Sequence, residues 1–238
     1  MYKVGDKAYG NIIASYGAEN APRIIIGAHY DVCDQQPGAD DNASGIAALL
    51  ELSRLLALQQ TDKWKYRIDL VAYTLEEPPA FRTKAMGSAV HAQSMLDSNV
   101  QVKGMISIEM IGFYRDGKHT QQYPVGLLKW IYGSRGNYIT VVKKMKSGKF
   151  TRQFTRRFKR GDNIITKVFA APAWLPGIDF SDHLNYWARG WDAFMLTDTS
   201  FYRNKNYHEK SDTPDTLDYS RMSYVVTNMF HALAGMAQ

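Results

Sequence analysis

The spacing of apolar positions alternates between a strand period and a helix period. Residues 11–16 (NIIASY) and 23–28 (RIIIGA) are short, Ile-rich runs that read as strands. Residues 42–59 (NASGIAALLELSRLLALQ) change to helical spacing. There Ile46, Leu49, Leu50 and Leu56 form a stripe with Ser53 in its middle, Leu52 and Leu55 widen it, and Asn42 is placed to cap it. The pattern then predicts a strand over 67–74, closed by Pro78-Pro79, a helix over 87–97 and a strand over 102–111. Residues 112–136 show no clear period. A strand over 137–142 leads into a helix, where Phe150, Phe154 and Phe158 recur at i, i+4 and i+8 as one apolar face. Residues 192–197 form a late strand. Residues 217–236 close the chain as an amphipathic helix with Met222, Val225, Met229, Phe230 and Leu233 inward. No repeat or linker divides the pattern, so residues 1–238 read as a single domain. Strands alternating with helices predict an α/β layer sandwich with a largely parallel sheet, whose ligands bind beyond the carboxyl ends of the strands.

Composition excludes several classes. With 45% apolar and 22% charged residues the chain is neither disordered nor collagen-like. A single cysteine, Cys33, excludes an internal disulfide framework and any multi-cysteine zinc site. No apolar run approaches the roughly 20 residues that span a bilayer, and residues 1–20 lack a signal-peptide core. The net charge of +6 is concentrated: residues 143–160 hold nine of the 29 basic residues and no acid, leaving 20 basic against 23 acidic residues, a net of −3, elsewhere. With no nucleic-acid motif beside it, this segment reads as the solvated face of a crossover helix, and no nucleic-acid partner is expected.

The chemistry gathers at the ends of the predicted strands. His29-Tyr30-Asp31 ends the second, Glu76-Glu77 the third and Glu109 the fourth, while Asp41 lies in the loop before the first helix and Tyr207-His208 near the C-terminus. Neighbouring strands would bring Asp31, Asp41, Glu76, Glu77 and Glu109 into one small volume. Five carboxylates there repel one another unless cations are bound, and imidazole with carboxylate ligation suits zinc.

HYD (29–31), GADDNASG (38–45), EE (76–77), the strand ending EM (109–110) and YH…SDTPDTLD (207–218) stand in one order along the chain. In that order they resemble the co-catalytic di-zinc aminopeptidases of the aminopeptidase S/aminopeptidase Y group of metallopeptidases, over residues 11–236. The resemblance implies a three-layer α/β/α sandwich, like other zinc exopeptidases, with a mixed, largely parallel sheet of roughly eight strands. It implies two Zn²⁺ ions, one held by His29, Asp41 and Glu109 and the other by Asp41, Glu77 and His208, so that Asp41 bridges. Asp41 rather than Asp40 is chosen because it directly precedes Asn42. The resemblance further implies Glu76 as general base toward a bridging water, Asp31 orienting the His29 imidazole, and Tyr207 donating to the oxyanion. Because Glu76 and Glu77 are adjacent, both serve one site only if the strand has ended before them. Asp179, Ser181, Asp182 and His183, in DFSDH, also match the group and are candidates for shaping the substrate pocket or for contacts that support the metal ligands, with a helix N-cap at Ser181 and Asp182 as the competing reading. Glu109 stands where the group more often has Asp.

The implied activity is hydrolysis of the N-terminal peptide bond of peptides with a free N-terminus. Relatives in this group are often secreted or periplasmic, and the sequence itself assigns neither compartment nor oligomeric state. Three rivals stand beside this reading. A single-zinc glutaminyl cyclase shares HYD, EE and the late His. A carboxypeptidase would need an arginine-rich pocket, and Arg82, Arg115 and Arg203 are scattered. A non-catalytic binding module on a peptidase fold would have lost ligands that this chain retains. Cys33 lies four residues after His29, but the carboxylates already suffice as ligands. His91 and His231 read as structural and His119 as solvated.

Overall fold

The computed structural model describes residues 1–238. A small hairpin, β1 (Tyr2–Val4) with β2 (Lys7–Tyr9), precedes the main sheet. That sheet has seven strands: β3 (Ile12–Tyr16), β4 (Arg23–His29), β5 (Arg67–Tyr73), β6 (Val102–Ile108), β7 (Tyr138–Lys144), β8 (Ile165–Ala171) and β9 (Ala193–Thr197). Their spatial order is β3-β5-β4-β6-β9-β7-β8, so the sheet has one strand fewer than the roughly eight expected. Strands β5, β4, β6 and β9 run parallel, whereas β3 is antiparallel to β5 and β7 is antiparallel to β9. The mixed, largely parallel sheet is as expected.

Alternation along the central strands sends side chains to two helical layers. Ile24, Ile26 and Ala28 face one side with Ile68, Leu70, Ile106, Ile108, Phe194 and Leu196. Three helices cover that face: α1 (Gly45–Ala57), α4 (Lys149–Phe158) and α6 (Tyr219–Ala237), giving a core of 29 buried residues. Phe150, Phe154 and Phe158 are all buried, with the Phe154 and Phe194 ring centroids 5.1 Å apart. The basic segment therefore lies outside the closed face of the sheet, and Lys143 and Lys144 belong to β7 rather than to the helix. Leu50 departs from the expected stripe: it is 67% exposed, because one residue beyond Leu49 the helix has turned about 100° toward solvent.

The opposite face carries α2 (Gly87–Asp97) and α5 (His183–Trp187) over a smaller core of 13 residues. These two helices cover only part of that face. Over β7, β8 and β9 the side chains of Thr140, Val142, Phe169, Met195 and Thr197 instead form the floor of a cleft of about 380 Å³. The cleft reaches from this floor to the carboxyl ends of the parallel strands, under a rim that includes α3 (Leu128–Tyr132).

Candidate metal centre and active-site cleft

His29 is the last residue of β4 and is 1% exposed. Its Nδ1–H donates to the backbone carbonyl of Asp31 at 2.9 Å, which leaves Nε2 as the free nitrogen. Nε2 faces Asp41 Oδ1 at 3.3 Å and Glu109 Oε1 at 3.4 Å. On the other side, His208 Nε2 lies 3.2 Å from Asp41 Oδ2 and 3.3 Å from Glu77 Oε2. The two oxygens of Asp41 thus face two different histidines. Donors about 2.0–2.2 Å from a tetrahedral zinc stand about 3.3–3.6 Å apart, and these four separations, 3.2–3.4 Å, lie at the short end of that spacing. Asp41 Oδ2, Glu77 Oε1 and His208 Nε2 have no hydrogen-bond partner. Buried donors and acceptors left open at this spacing fit metal ions.

Local backbone explains how adjacent acids converge. β5 ends at Tyr73, and Leu75 follows with φ of +58°, so Glu76 and Glu77 stand beyond the strand and both reach the site. Met110, just after Glu109, and His208 itself also have positive φ, at +54° and +59°. Such strain in non-glycine residues costs on the order of 1–3 kcal/mol each and persists where the surroundings over-determine it. The loop Ala39–Ser44 makes one wide, irregular turn starting from Gly38, where φ is +64° and an added Cβ would lie 2.6 Å from the Asp41 carbonyl oxygen.

Asp31 differs from the expectation. Its backbone carbonyl orients His29, while its carboxylate accepts from the backbone amides of Glu76 (3.2 Å) and Glu77 (3.1 Å). The carboxylate oxygen closest to His29 Nδ1 is 3.7 Å away. The side chain therefore sets the position of the two glutamates.

The electrostatics of the metal-free cluster follow from crowding. Burial alone would lower the His29 pKa, but Glu109, Asp41 and Glu76 raise it well above the ordinary imidazole value. Burial likewise opposes the charge on His208, yet Asp41 and Glu77 push its pKa up to about 10. Asp41, despite burial, is held down to about 2 by the two histidines. Glu76 moves the other way: burial, with Glu109, Asp182 and Glu77 adding repulsion, raises its pKa well above the carboxylate range. Its Oε2 is 4.0 Å from His29 Nε2. A buried carboxyl with an elevated pKa is suited to proton transfer.

Tyr207 lines the cleft, with its ring stacked on His208 at 3.8 Å between centroids. Burial and the surrounding carboxylates keep its hydroxyl protonated. Asp182 and His183 do not line the cleft, contrary to the expectation of a pocket role. Both are fully buried, and Asp182 precedes α5 without making a capping bond. His183 Nε2–H donates to Ile178 O at 2.8 Å and its ring meets Trp187 edge-on, which makes it a packing residue. Asp182, with neither oxygen hydrogen-bonded, is pushed up to about 7 by burial.

Two residues hold the acids of the site by hydrogen bonds, and of them only Asp212 carried no expected role. Ser181 Oγ donates to Glu109 Oε2 at 2.6 Å and so fixes the orientation of that carboxylate. Asp212 accepts from the backbone amides of Asp40 and Asp41 at 3.0–3.1 Å and so holds the turn that presents Asp41. Ser181 and Asp212 lie inside quoted motifs, but their partners are 72 and 171 residues away, so no local pattern reveals the pairing.

The model of Peptidase family M28 matches residues 11–233. The chain belongs to peptidase family M28. It is 46% identical over 233 residues to the uncharacterized protein YfbL of Escherichia coli K12, covering 94% of this chain and 70% of that protein. It is 26% identical over 227 residues to a probable leucine aminopeptidase of Trichophyton verrucosum, covering 89% of this chain and 53% of that one. In fold it matches the LapA aminopeptidase of Legionella pneumophila with a TM-score of 0.76 at 22% identity, over 99% of this chain and 57% of that chain. The M28 chain described here thus spans just over half the length of those two aminopeptidases.

Proposed function

We propose that this chain is a metal-dependent aminopeptidase with two zinc ions, one at His29, Asp41 and Glu109 and the other at His208, Asp41 and Glu77. The observation that carries this reading is Asp41 itself, one carboxylate facing two imidazoles at 3.3 and 3.2 Å with Glu76 beside them. Membership of family M28 and the likeness to aminopeptidases support it.

Zinc bound there supplies a Lewis acid that polarises the scissile carbonyl and makes a nearby water acidic. Glu76 takes the proton of that water and returns it to the leaving amine. Asp31 holds the Glu76 and Glu77 amides, so the base keeps its distance from His29. The Tyr207 hydroxyl donates to the oxyanion that develops on the carbonyl. The carboxylates at this end of the cleft attract the free α-ammonium of a peptide. Beyond them, Phe81, Phe169, Phe180, Phe201 and Met195 line an apolar pocket for the N-terminal side chain.

The rivals fit the site less well. A glutaminyl cyclase uses one zinc and leaves the second histidine–acid set without a task. A carboxypeptidase needs a cation for the C-terminal carboxylate; no arginine lines this cleft, Arg82 pairing with Asp179 at 2.7 Å and Arg203 donating to Gln121 at 2.9 Å, and the lysine that does line it, Lys167, donates to the Tyr132 carbonyl and lies over the Tyr138 ring. A dead-fold binding module would not preserve both histidine–acid sets.

The test is a substrate panel of aminoacyl amides, N-blocked peptides and N-terminal glutamine peptides, run with and without chelator on the native protein and on Glu76→Gln. Turnover of unblocked substrates, its loss with chelator, and a fall of about 10²–10⁴-fold in Glu76→Gln at two metals per chain are expected. Cleavage confined to blocked peptides, cyclisation without hydrolysis, or full activity in Glu76→Gln would each overturn the proposal.

A further inference from the structure

Strand register lays out the floor of the cleft in two rows. On β7, Thr140 and Val142 both face the cleft, because alternate residues of a strand share a face. Thr140 pairs with Thr197 of β9 on one side and with Lys167 of β8 on the other. Val142 pairs with Met195 and Phe169 in the same way. A row of hydrogen-bonding side chains, Thr197-Thr140-Lys167, thus runs beside an apolar row, Met195-Val142-Phe169. The rings of Phe81, Phe180 and Phe201 wall the same cleft, with centroids 6.0 and 6.3 Å apart along the series.

Within the polar row, two members have protein partners and one has none. Thr197 Oγ1 accepts from the Thr199 amide at 2.9 Å. Lys167 Nζ donates to the Tyr132 carbonyl and lies over the Tyr138 ring. Thr140 is 4% exposed, and its Oγ1 has no hydrogen-bond partner. A buried hydroxyl left unpaired is costly, and a ligand that completes it recovers the cost. Thr140 also sits at a definite remove from the metal ligands. β7 lies two strands from β6, the strand that Glu109 follows, which at roughly 5 Å per strand is about 10 Å.

We infer that the preferred substrates begin with tyrosine, an aromatic side chain tipped by a hydroxyl, and that this hydroxyl bonds to Thr140. The inference rests on the aminopeptidase reading above and names its substrate class. The phenyl walls and the apolar row receive the ring through edge and offset contacts. The tip then meets the polar row two strands from Glu109, a span that a leucine side chain does not cover. A threonine hydroxyl and a phenol each donate and accept, so the pair satisfies itself without a charge. Lys167, at the end of the row, disfavours the cationic side chains of lysine and arginine. Its ammonium is held by the Tyr132 carbonyl, so a carboxylate gains little there. A site built to bond a hydroxyl selects against the analogue that lacks it, because its own polar group is then left unpaired.

The test compares kcat/KM for the amides of tyrosine, phenylalanine, leucine and glutamate on the native protein, Thr140→Val and Thr140→Ser. Valine keeps the shape of threonine without the hydroxyl, and serine keeps the hydroxyl without the methyl. The native protein is expected to favour the tyrosine amide over the phenylalanine amide by about 3–10-fold, the scale of one hydrogen bond. That ratio should fall to about one in Thr140→Val and be largely kept in Thr140→Ser. A role in packing alone would lower both aromatic amides together, so an unchanged ratio in Thr140→Val would overturn the inference. Equal rates for the two aromatic amides in the native protein, or a faster leucine or glutamate amide, would do the same and leave the aminopeptidase reading standing. Turnover of none of the four would instead remove that reading and this inference with it.

Discussion

Asp40 and Asp41 are neighbours in the chain and almost equally buried, yet each belongs to a different acidic cluster. Asp40 accepts from the Gly112 amide at 2.9 Å and from Asn204 Nδ2 at 2.8 Å. It sits against Asp198, whose carboxylate accepts from the amides of Phe113 and Ser200. Burial pushes Asp40 up to about 6, and burial with the nearby Asp40 raises Asp198 well above the carboxylate range. Asp41 faces two histidines, with one oxygen that nothing donates to. One cluster is completed by the protein and the other is left open. Burial alone does not separate a structural acid from a ligand; the test is whether its lone pairs are already filled.

The largest effect that would sharpen this contrast is expected from Asp41→Asn. It removes the negative charge that both metal positions share, so metal content after gel filtration should fall below two per chain and peptide turnover should drop to background. Retention of two ions would break the comparison. The pH dependence of metal uptake comes next. In the metal-free protein His29 and His208 carry protons held by the same carboxylates, and the His208 pKa lies at about 10. A metal must displace those protons, so affinity rises with pH from about 6.5 toward 10, about tenfold per unit for each proton released. Calorimetry in buffers of different ionisation enthalpy counts the protons, and a pH-independent affinity would contradict the open-site reading.

Ser181→Ala should have a smaller effect. Without the 2.6 Å bond to Glu109 Oε2, the ion at His29 is expected to bind about 10–100-fold more weakly, with the ion at His208 unaffected. The smallest functional effect is expected from Asp40→Asn, a change of the same shape as Asp41→Asn one residue away. Two ions should remain, and chemical denaturation should register a stability change of no more than about 1–3 kcal/mol, the scale of a buried hydrogen-bond mismatch. Loss of metal in this variant would show that the two clusters are one.

The two faces of the sheet show how far the pattern of residues reaches. On the closed face, the Phe150, Phe154 and Phe158 stripe and the α6 positions were legible, because helical periodicity and burial against a sheet are the same signal. On the cleft face, β8 was missed: only Ala171 of its seven residues is buried, so an edge strand beside an open cleft has no continuous apolar run to read. The β1–β2 hairpin, with no buried residue, was missed for the same reason.

The sequence by itself determined the ligand types, their order along the chain and the α/β pattern that brings strand ends together, since strand and helix periods and motif spacing are local properties. Only the tertiary structure decided which partner each group receives. The Asp31 carboxylate binds amides 45 and 46 residues away rather than the nearby imidazole, and Asp212 holds amides 171 and 172 residues back. These contacts join segments that no periodicity relates, and they form only when loops from separate strands close over the same edge of the sheet.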